Sequence, residues 1–105
     1  MPTINRVEPR VCPSVEHAFA VVGKKWTGLI VHVLGGGPTR FSDLLNEVPQ
    51  LSSRLLSSRL KELEAEGIVQ REVIPDKPVR VEYSLTDKGK KLIPIMRSIA
   101  EWAHQ

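Results

Sequence analysis

The segment from Phe41 to Leu85 has the sequence FSDLLNEVPQLSSRLLSSRLKELEAEGIVQREVIPDKPVRVEYSL. Its first part predicts a brief helix that is capped by Ser42 and closed by Pro49. Ser52 is placed to cap a longer helix, and Gly67 stands where a left-handed residue ends such a helix. Two helices joined by a short turn are therefore expected, as in a helix-turn-helix unit.

Two strands are predicted directly after these helices, at residues 68–74 and 79–85. The second alternates with a period of two, so that its apolar and polar residues take opposite faces. The apolar face consists of Val79, Val81, Tyr83 and Leu85. The link at residues 75–78, Pro-Asp-Lys-Pro, predicts a turn. Helix, turn, helix and hairpin in this order indicate an α+β winged helix-turn-helix, a fold that binds duplex DNA.

The residues before this segment predict an arm and two helices. Residues 1–11 contain two prolines and no sustained hydrophobic period, which is typical of an extended arm. Ser14 is placed to cap a helix that ends near Gly23, and a second helix is expected from Lys25 to Leu34. We therefore divide the chain into an N-terminal arm and one domain, residues 12–105.

The last helix, which Thr86 is placed to cap, carries more apolar surface than one domain needs to bury. Pro94 lies within it and is expected to kink or interrupt it. An apolar surface of this width predicts a contact with a partner subunit.

The helix predicted at residues 52–66 has two distinct faces at about 100° per residue. Its leucines share one face, and small hydroxyl and cationic side chains occupy the other. Small hydroxyls let a helix axis enter the major groove, and arginine can bind guanine with two hydrogen bonds. The candidate DNA contacts on this helix are Ser53, Arg54, Ser57, Ser58 and Lys61. Arg59 lies at the edge of the leucine face, so we expect it to pack or to form an internal ion pair.

Other cations are candidates for contacts with the DNA backbone. They are Lys77 and Arg80 in the hairpin, with Thr39 and Arg40 before the short helix as weaker candidates. The alternative to DNA binding is that these polar and cationic side chains are exposed to solvent and have no binding role. Agreement between the helix pair, the turn and the hairpin favours DNA binding.

The amino-acid composition limits which other classes of protein this chain can belong to. The net charge of +3 permits phosphate binding without indicating a histone-like protein. A single cysteine excludes an internal disulfide, and no signal peptide or membrane-length apolar run is present, so a cytoplasmic protein is expected. His17, His32 and His104 lack the paired spacing of metal ligands. We therefore expect no metal, no cofactor and no membrane association.

Cys12 is the candidate reactive group, because it stands at the start of the first predicted helix. A helix N-terminus and nearby cations stabilise a thiolate, and Arg10, His17 and Lys24 are close in sequence. The alternative is that Cys12 is a small buried hydrophobic residue. A thiol enzyme would need a catalytic base and an oxyanion site. Only His17 is close enough in sequence to act as the base, and no motif around Cys12 indicates an oxyanion site. We therefore expect no enzyme.

An ordered set of short motifs resembles the HxlR family of bacterial regulators over about residues 12–102. The motifs are Cys12-Pro13, Val15-Glu16, Gly23-Lys24-Lys25-Trp26, Pro38 with Arg40-Phe41, Leu60 to Glu64, Gly67-Ile68-Val69, Val81 to Thr86, and Lys88-Gly89. The resemblance implies a homodimeric winged helix-turn-helix regulator with its terminal helices at the dimer interface. The candidate interface residues are Phe19, Ile95, Met96, Ile99, Trp102 and Ala103.

Residues 26–34 are more similar to the thiol-sensing branch of that family. This resemblance implies that Cys12 senses oxidants or electrophiles such as quinones, diamide, hypochlorite or aldehydes. The expected protein is a repressor that binds a palindromic operator in double-stranded DNA and is released when Cys12 reacts. With one cysteine per chain, the product is a bridge between two symmetry-related Cys12 residues, a mixed disulfide with a low-molecular-weight thiol, or an alkyl adduct. A regulator without a thiol switch, either an activator or controlled by a ligand, and a protein-interaction module are the alternatives.

Overall fold

The computed structural model describes residues 12–105, and the predicted arm at residues 1–11 lies outside them. The elements in chain order are α1 (Pro13–Val22), α2 (Thr27–Leu34), β1 (Thr39–Arg40), α3 (Phe41–Glu47), α4 (Ser53–Ala65), β2 (Val69–Ile74), β3 (Arg80–Leu85), α5 (Asp87–Lys90) and α6 (Leu92–Ala103). The helix-turn-helix pair is α3 and α4, and β2 and β3 form the hairpin of the wing. The predicted α+β winged helix-turn-helix fold, with additional helices at both ends, is confirmed.

The sheet has three antiparallel strands in the order β1-β3-β2. Val69 pairs with Leu85 at the base of the wing, and Ile74 pairs with Arg80 next to its tip. Each of the two wing strands, β2 and β3, starts one residue later than predicted. Val79 therefore falls outside β3 and is 63% exposed, so it does not share the buried face that was predicted for it.

The hydrophobic core lies between α2, the helix-turn-helix pair and the base of the sheet. Its buried members are Ile30, Val31, Leu34, Leu44, Val48, Leu51, Leu56, Leu60, Leu63, Ile68, Val69, Tyr83 and Leu85. Neither α1 nor α6 contributes a buried residue. Among the helices of residues 12–105, none combines the length and apolar character needed to cross a bilayer.

The start of α4 is capped as predicted, because the Ser52 Oγ accepts a hydrogen bond from the Leu55 N–H at 3.1 Å. The cap predicted at Ser42 is wrong. The helix α3 begins at Phe41, directly after β1, and Arg40 is its N-cap without a capping side-chain bond. Packing explains the early start, since the rings of Phe41 and Tyr83 lie 6.4 Å apart between centroids and tie the first turn of α3 to β3.

The predicted starts of α1 and α2 are also wrong. Cys12 and not Ser14 is the N-cap of α1, because Pro13 occupies the first helical position, for which its fixed φ and missing N–H are suited. The helix α2 begins at Thr27, two residues later than expected. Trp26 has a φ of 81°, in the left-handed region that breaks a right-handed helix.

Both ends of the wing are fixed to α4. Gly67 has a φ of 74°, as predicted for a residue that ends a helix, and the Ile68 N–H donates to the Leu63 carbonyl at 2.9 Å. Thr86 caps α5 by accepting from the Gly89 N–H at 3.0 Å, and its hydroxyl donates to the Gly67 carbonyl. These bonds hold the base of the wing at the C-terminal end of α4.

The predicted interruption of the last helix occurs at Lys91, between α5 and α6, and not at Pro94. Pro94 is the third residue of α6. A proline is tolerated in a first turn because the N–H groups there have no partner within the helix.

Candidate DNA-binding surface and thiol site

The helix α4 presents the two faces that the sequence predicts. Leu56, Leu60 and Leu63 are buried, and Leu55 packs partly against the core. On the other side, Ser53, Arg54, Ser58 and Lys61 are exposed, and Ser57 is half-buried. The candidate base-reading side chains therefore share one solvent-facing side of α4, which follows the turn after α3.

Arg59 belongs to the interior side of α4, as predicted. Its side chain is only 16% exposed, its Nε donates to the Lys25 carbonyl at 3.2 Å, and its Nη1 contacts the Glu62 Oε1 at 3.3 Å. An arginine that is held in this way is not available to a DNA base.

The wing carries a second group of cations. Lys77 is exposed at the tip. Arg80 is half-buried and contacts the Asp76 carboxylate at 3.1 Å and the Glu82 carboxylate at 3.8 Å. Sequence reasoning missed these two acidic partners, although Asp76 and Glu82 flank Arg80 in the chain. For Arg80 to contact a phosphate, the phosphate must compete with both carboxylates.

The predicted contacts before α3 lie at the edge of the sheet. Arg40 is exposed and contacts the Asp43 carboxylate at 3.8 Å. The Thr39 hydroxyl is half-buried and donates to the Gly37 carbonyl at 2.9 Å. Thr39 is therefore engaged within its own loop, whereas Arg40 forms only a long, exposed ion pair.

Cys12 is exposed at the N-terminus of α1, so the alternative of a buried structural thiol is wrong. Its sulfur makes no regular capping hydrogen bond. The backbone N–H groups of Val15 and then Ser14 still favour the thiolate and lower the pKa of Cys12 below its ordinary value, against a smaller opposing effect of desolvation. The geometry indicates an accessible thiol with increased thiolate character.

The cations that were expected to assist Cys12 have other partners. The His17 Nε2 lies 2.9 Å from the Glu66 Oε1, and the Lys24 Nζ donates to the Glu62 Oε2 at 3.0 Å. Both carboxylates belong to α4 or its C-cap, and Arg10 lies outside the described residues. The pKa of Cys12 is therefore lowered by the backbone of α1 and not by these two side chains.

The candidate dimer residues are mostly exposed in the single chain. Phe19, Ile95, Ile99 and Trp102 are large apolar side chains with exposed fractions of 65%, 50%, 49% and 73%. Ala103 is also exposed, whereas Met96 is half-buried and packs against the core. An unpartnered apolar surface therefore lies on α1 and α6.

The histidines do not assemble into a metal site. From Cys12 to Gln105, no group of three or more His, Cys, Asp or Glu side chains is arranged to hold a metal ion. His17 is the only histidine that has an acidic partner among the ion pairs of this region.

These features define a winged helix-turn-helix protein with a candidate DNA-reading helix and an accessible thiol. The model of the HxlR-like helix-turn-helix family matches residues 21–105. The chain therefore belongs to this family, as the sequence motifs indicated.

Known relatives agree with this assignment. The HTH-type transcriptional regulator YvaP of Bacillus subtilis is 53% identical over 96 residues, which cover 91% of this chain and 89% of YvaP. The reduced form of YodB from the same species is 46% identical, with a TM-score of 0.83 over 90% of this chain and 93% of YodB. The oxidised form of the redox regulator HypR is 42% identical, with a TM-score of 0.82 over 89% and 95% of the two chains.

A quinone-bound form of YodB has also been solved, and it is 42% identical to this chain with a TM-score of 0.79. The match covers 90% of this chain and 99% of the YodB chain. The chain is thus a helix-turn-helix transcriptional regulator and not an enzyme, and it is similar to redox regulators. As a member of a family of DNA-binding regulators, the chain has DNA as a partner.

Proposed function

We propose that this regulator is a homodimeric repressor that binds a palindromic operator and is released when Cys12 reacts with an oxidant or an electrophile. The observation that carries the proposal is the exposed Cys12 thiol, whose pKa is lowered at the N-terminus of α1. Similarity to a redox regulator and to a protein that has been solved in reduced and quinone-bound forms supports it.

In the proposed DNA complex, the exposed side of α4 lies in the major groove. Arg54 reads guanine, and Ser53, Ser57 and Ser58 allow close approach of the helix. The contacts with the DNA backbone are made by Lys61, Lys77 and Arg40. Thr39 and Arg80, which already have partners within the chain, add further contacts. Two copies of α4 would enter successive major grooves about 34 Å apart, which requires a two-fold symmetric operator.

The proposed dimer is formed by the apolar surface of α1 and α6. Exposed Phe19, Ile99 and Trp102 provide the large side chains that anchor protein interfaces. Because Cys12 is the N-cap of α1, a modified thiol would lie at the end of an element of the proposed dimer interface. A change in the relative orientation of the subunits would then alter the spacing of the two α4 helices.

Reaction at Cys12 has several possible end products in a chain with one cysteine. The thiolate can add to a ring carbon of a quinone, which forms a sulfur–carbon bond and leaves a hydroquinone after protonation. Diamide can oxidise two thiols to a disulfide, and the second thiol is then the partner's Cys12 or a small cellular thiol. For any product, the modification must favour the non-binding arrangement by a few kcal/mol to release most of the DNA.

The test is a footprint on the DNA that flanks the protein's own gene. Reduced protein, quinone-treated protein and treated Cys12→Ser protein are compared at fixed salt. We expect a two-fold symmetric footprint that treatment abolishes in the wild type but not in Cys12→Ser. A footprint that is indifferent to treatment would indicate a regulator without a thiol switch, and no salt-dependent DNA binding at all would indicate a protein-interaction module.

A further inference from the structure

The helix α4 has a second polar side that contacts α1 and the loop after it. Glu62, within α4, accepts from the Lys24 Nζ at 3.0 Å. Glu66, one turn later at the C-cap, lies 2.9 Å from the His17 Nε2. Residues four apart share one side of a helix. The helix that carries the candidate base-reading residues is thereby connected to the helix that begins at Cys12. We call these two side-chain contacts the α1–α4 contact.

Apolar packing between α1 and α4 is sparse. The helix α1 has no buried residue. An open groove of about 250 Å³ lies between the two helices, and the four polar side chains of the α1–α4 contact contribute to its walls. Exposed ion pairs are individually weak. A contact that consists mainly of such pairs holds α1 in place but can be broken without unfolding the core.

The joint between α1 and α2 is attached to the same side of α4. Arg59 contacts Glu62 and also donates to the carbonyl of Lys25, the residue before the left-handed Trp26. The Lys25 Nζ lies 5.0 Å from the Trp26 ring centroid. The backbone at this joint is thus held by Arg59, which in turn contacts the glutamate that binds Lys24. A movement of α1 about the joint would change the partners of Glu62.

We propose that Glu62 and Glu66 are positioning residues that couple the state of Cys12 to the orientation of α4. The inference rests on the proposed thiol switch and adds the path by which the switch reaches the DNA. With the α1–α4 contact closed, each α4 keeps a fixed position relative to the α1 helix of the proposed dimer interface, and the two α4 helices keep the spacing that binds the operator. When modification at Cys12 displaces α1, the two side-chain contacts separate and α4 no longer keeps its fixed position relative to the proposed dimer interface.

The first test measures α1 directly, without DNA or thiol chemistry. Hydrogen exchange of residues 13–22 is followed in the full chain for wild type, for the double variant Glu62→Gln/Glu66→Gln, and for Glu64→Gln. Glu64 is the matched control, because it lies on α4 and forms no ion pair within the described part of the chain. We expect faster exchange of α1 in the double variant alone. Equal exchange in all three proteins would overturn the proposal.

The second test measures coupling as the ratio of the operator Kd of quinone-treated protein to that of reduced protein. We expect the double variant to lower this ratio at least about fivefold relative to wild type, and Glu64→Gln to leave it unchanged. A ratio that is the same in the double variant and in wild type would refute the coupling role while the thiol switch stands. A wild-type ratio of one would refute the switch itself and this inference with it.

Discussion

The winged helix-turn-helix unit and the terminal helices of this chain differ in where their apolar side chains lie. Between α2 and β3, leucines and isoleucines such as Ile30, Leu44 and Leu56 are fully buried. In α1 and α6 no residue is buried, and Phe19 and Trp102 are mostly exposed. The single chain therefore completes the core of its DNA-binding unit, whereas its terminal helices expose large apolar side chains.

The largest expected effect is on the core. Leu60→Ala removes a side chain that is 1% exposed and should lower the free energy of unfolding by about 2–5 kcal/mol. Ile99→Ala on α6, where the side chain is 49% exposed, should cost less than about 1 kcal/mol in the monomer. Urea unfolding at low protein concentration measures both. Equal losses would mean that α6 belongs to the same core as α4.

The next largest effect is expected on the stability of the proposed dimer. Trp102→Glu places a charge in the proposed dimer interface and should raise the dissociation constant of the dimer by at least about 30-fold. Sedimentation velocity measures the association, and far-UV circular dichroism should show an unchanged fold. Gln105→Glu, which adds a charge just beyond the same helix, is the control. A Trp102→Glu protein that sediments like the wild type would remove Trp102 from the interface.

A smaller effect is expected within the DNA-reading surface. Arg54→Ala should weaken operator binding by about 1–3 kcal/mol and relax the sequence preference at one position. Lys77→Ala should weaken binding to the operator and to random DNA alike, and should reduce the slope of log K against log salt by about 1. Fluorescence anisotropy over a salt series separates the two roles. If both variants behaved identically, α4 and the wing would not differ in function as proposed.

The smallest effect is on the acidity of the thiol. The N–H groups at the start of α1 lower the pKa of Cys12, so the folded protein should have more thiolate than the unfolded chain at any pH near the two pKa values. The contribution of Cys12 to the free energy of unfolding is present above the pKa that Cys12 has in the unfolded chain. It is lost as the pH falls through the pKa that Cys12 has in the folded protein. Alkylation rates by iodoacetamide should therefore rise at a lower pH in the folded protein than in urea. Coincident profiles would show that α1 does not activate Cys12.

Local patterns in the sequence were sufficient for most of the DNA-binding unit. The spacing of the α4 leucines placed Arg54 outside and Arg59 inside, and Ser52 and Gly67 marked the two ends of the helix. These features depend on neighbouring residues and on helix geometry, which a sequence contains directly.

Features that depend on distant residues could not be predicted in the same way. His17 and Glu66 are 49 positions apart, and no local signal pairs them. The left-handed Trp26 and the start of α3 at Phe41 likewise follow from tertiary packing that overrides local preference. The terminal helices were recognised as apolar, but the contacts between α1 and α4 required the structure.

The most direct test of the thiol-controlled repressor is operator affinity through one cycle of oxidation and reduction. The operator Kd is measured for reduced protein, after diamide, and after subsequent dithiothreitol, in parallel with Cys12→Ser. We predict that diamide weakens binding at least about tenfold, that dithiothreitol restores it, and that Cys12→Ser is unaffected throughout. An unchanged Kd after complete modification of Cys12, confirmed by mass spectrometry, would contradict the account.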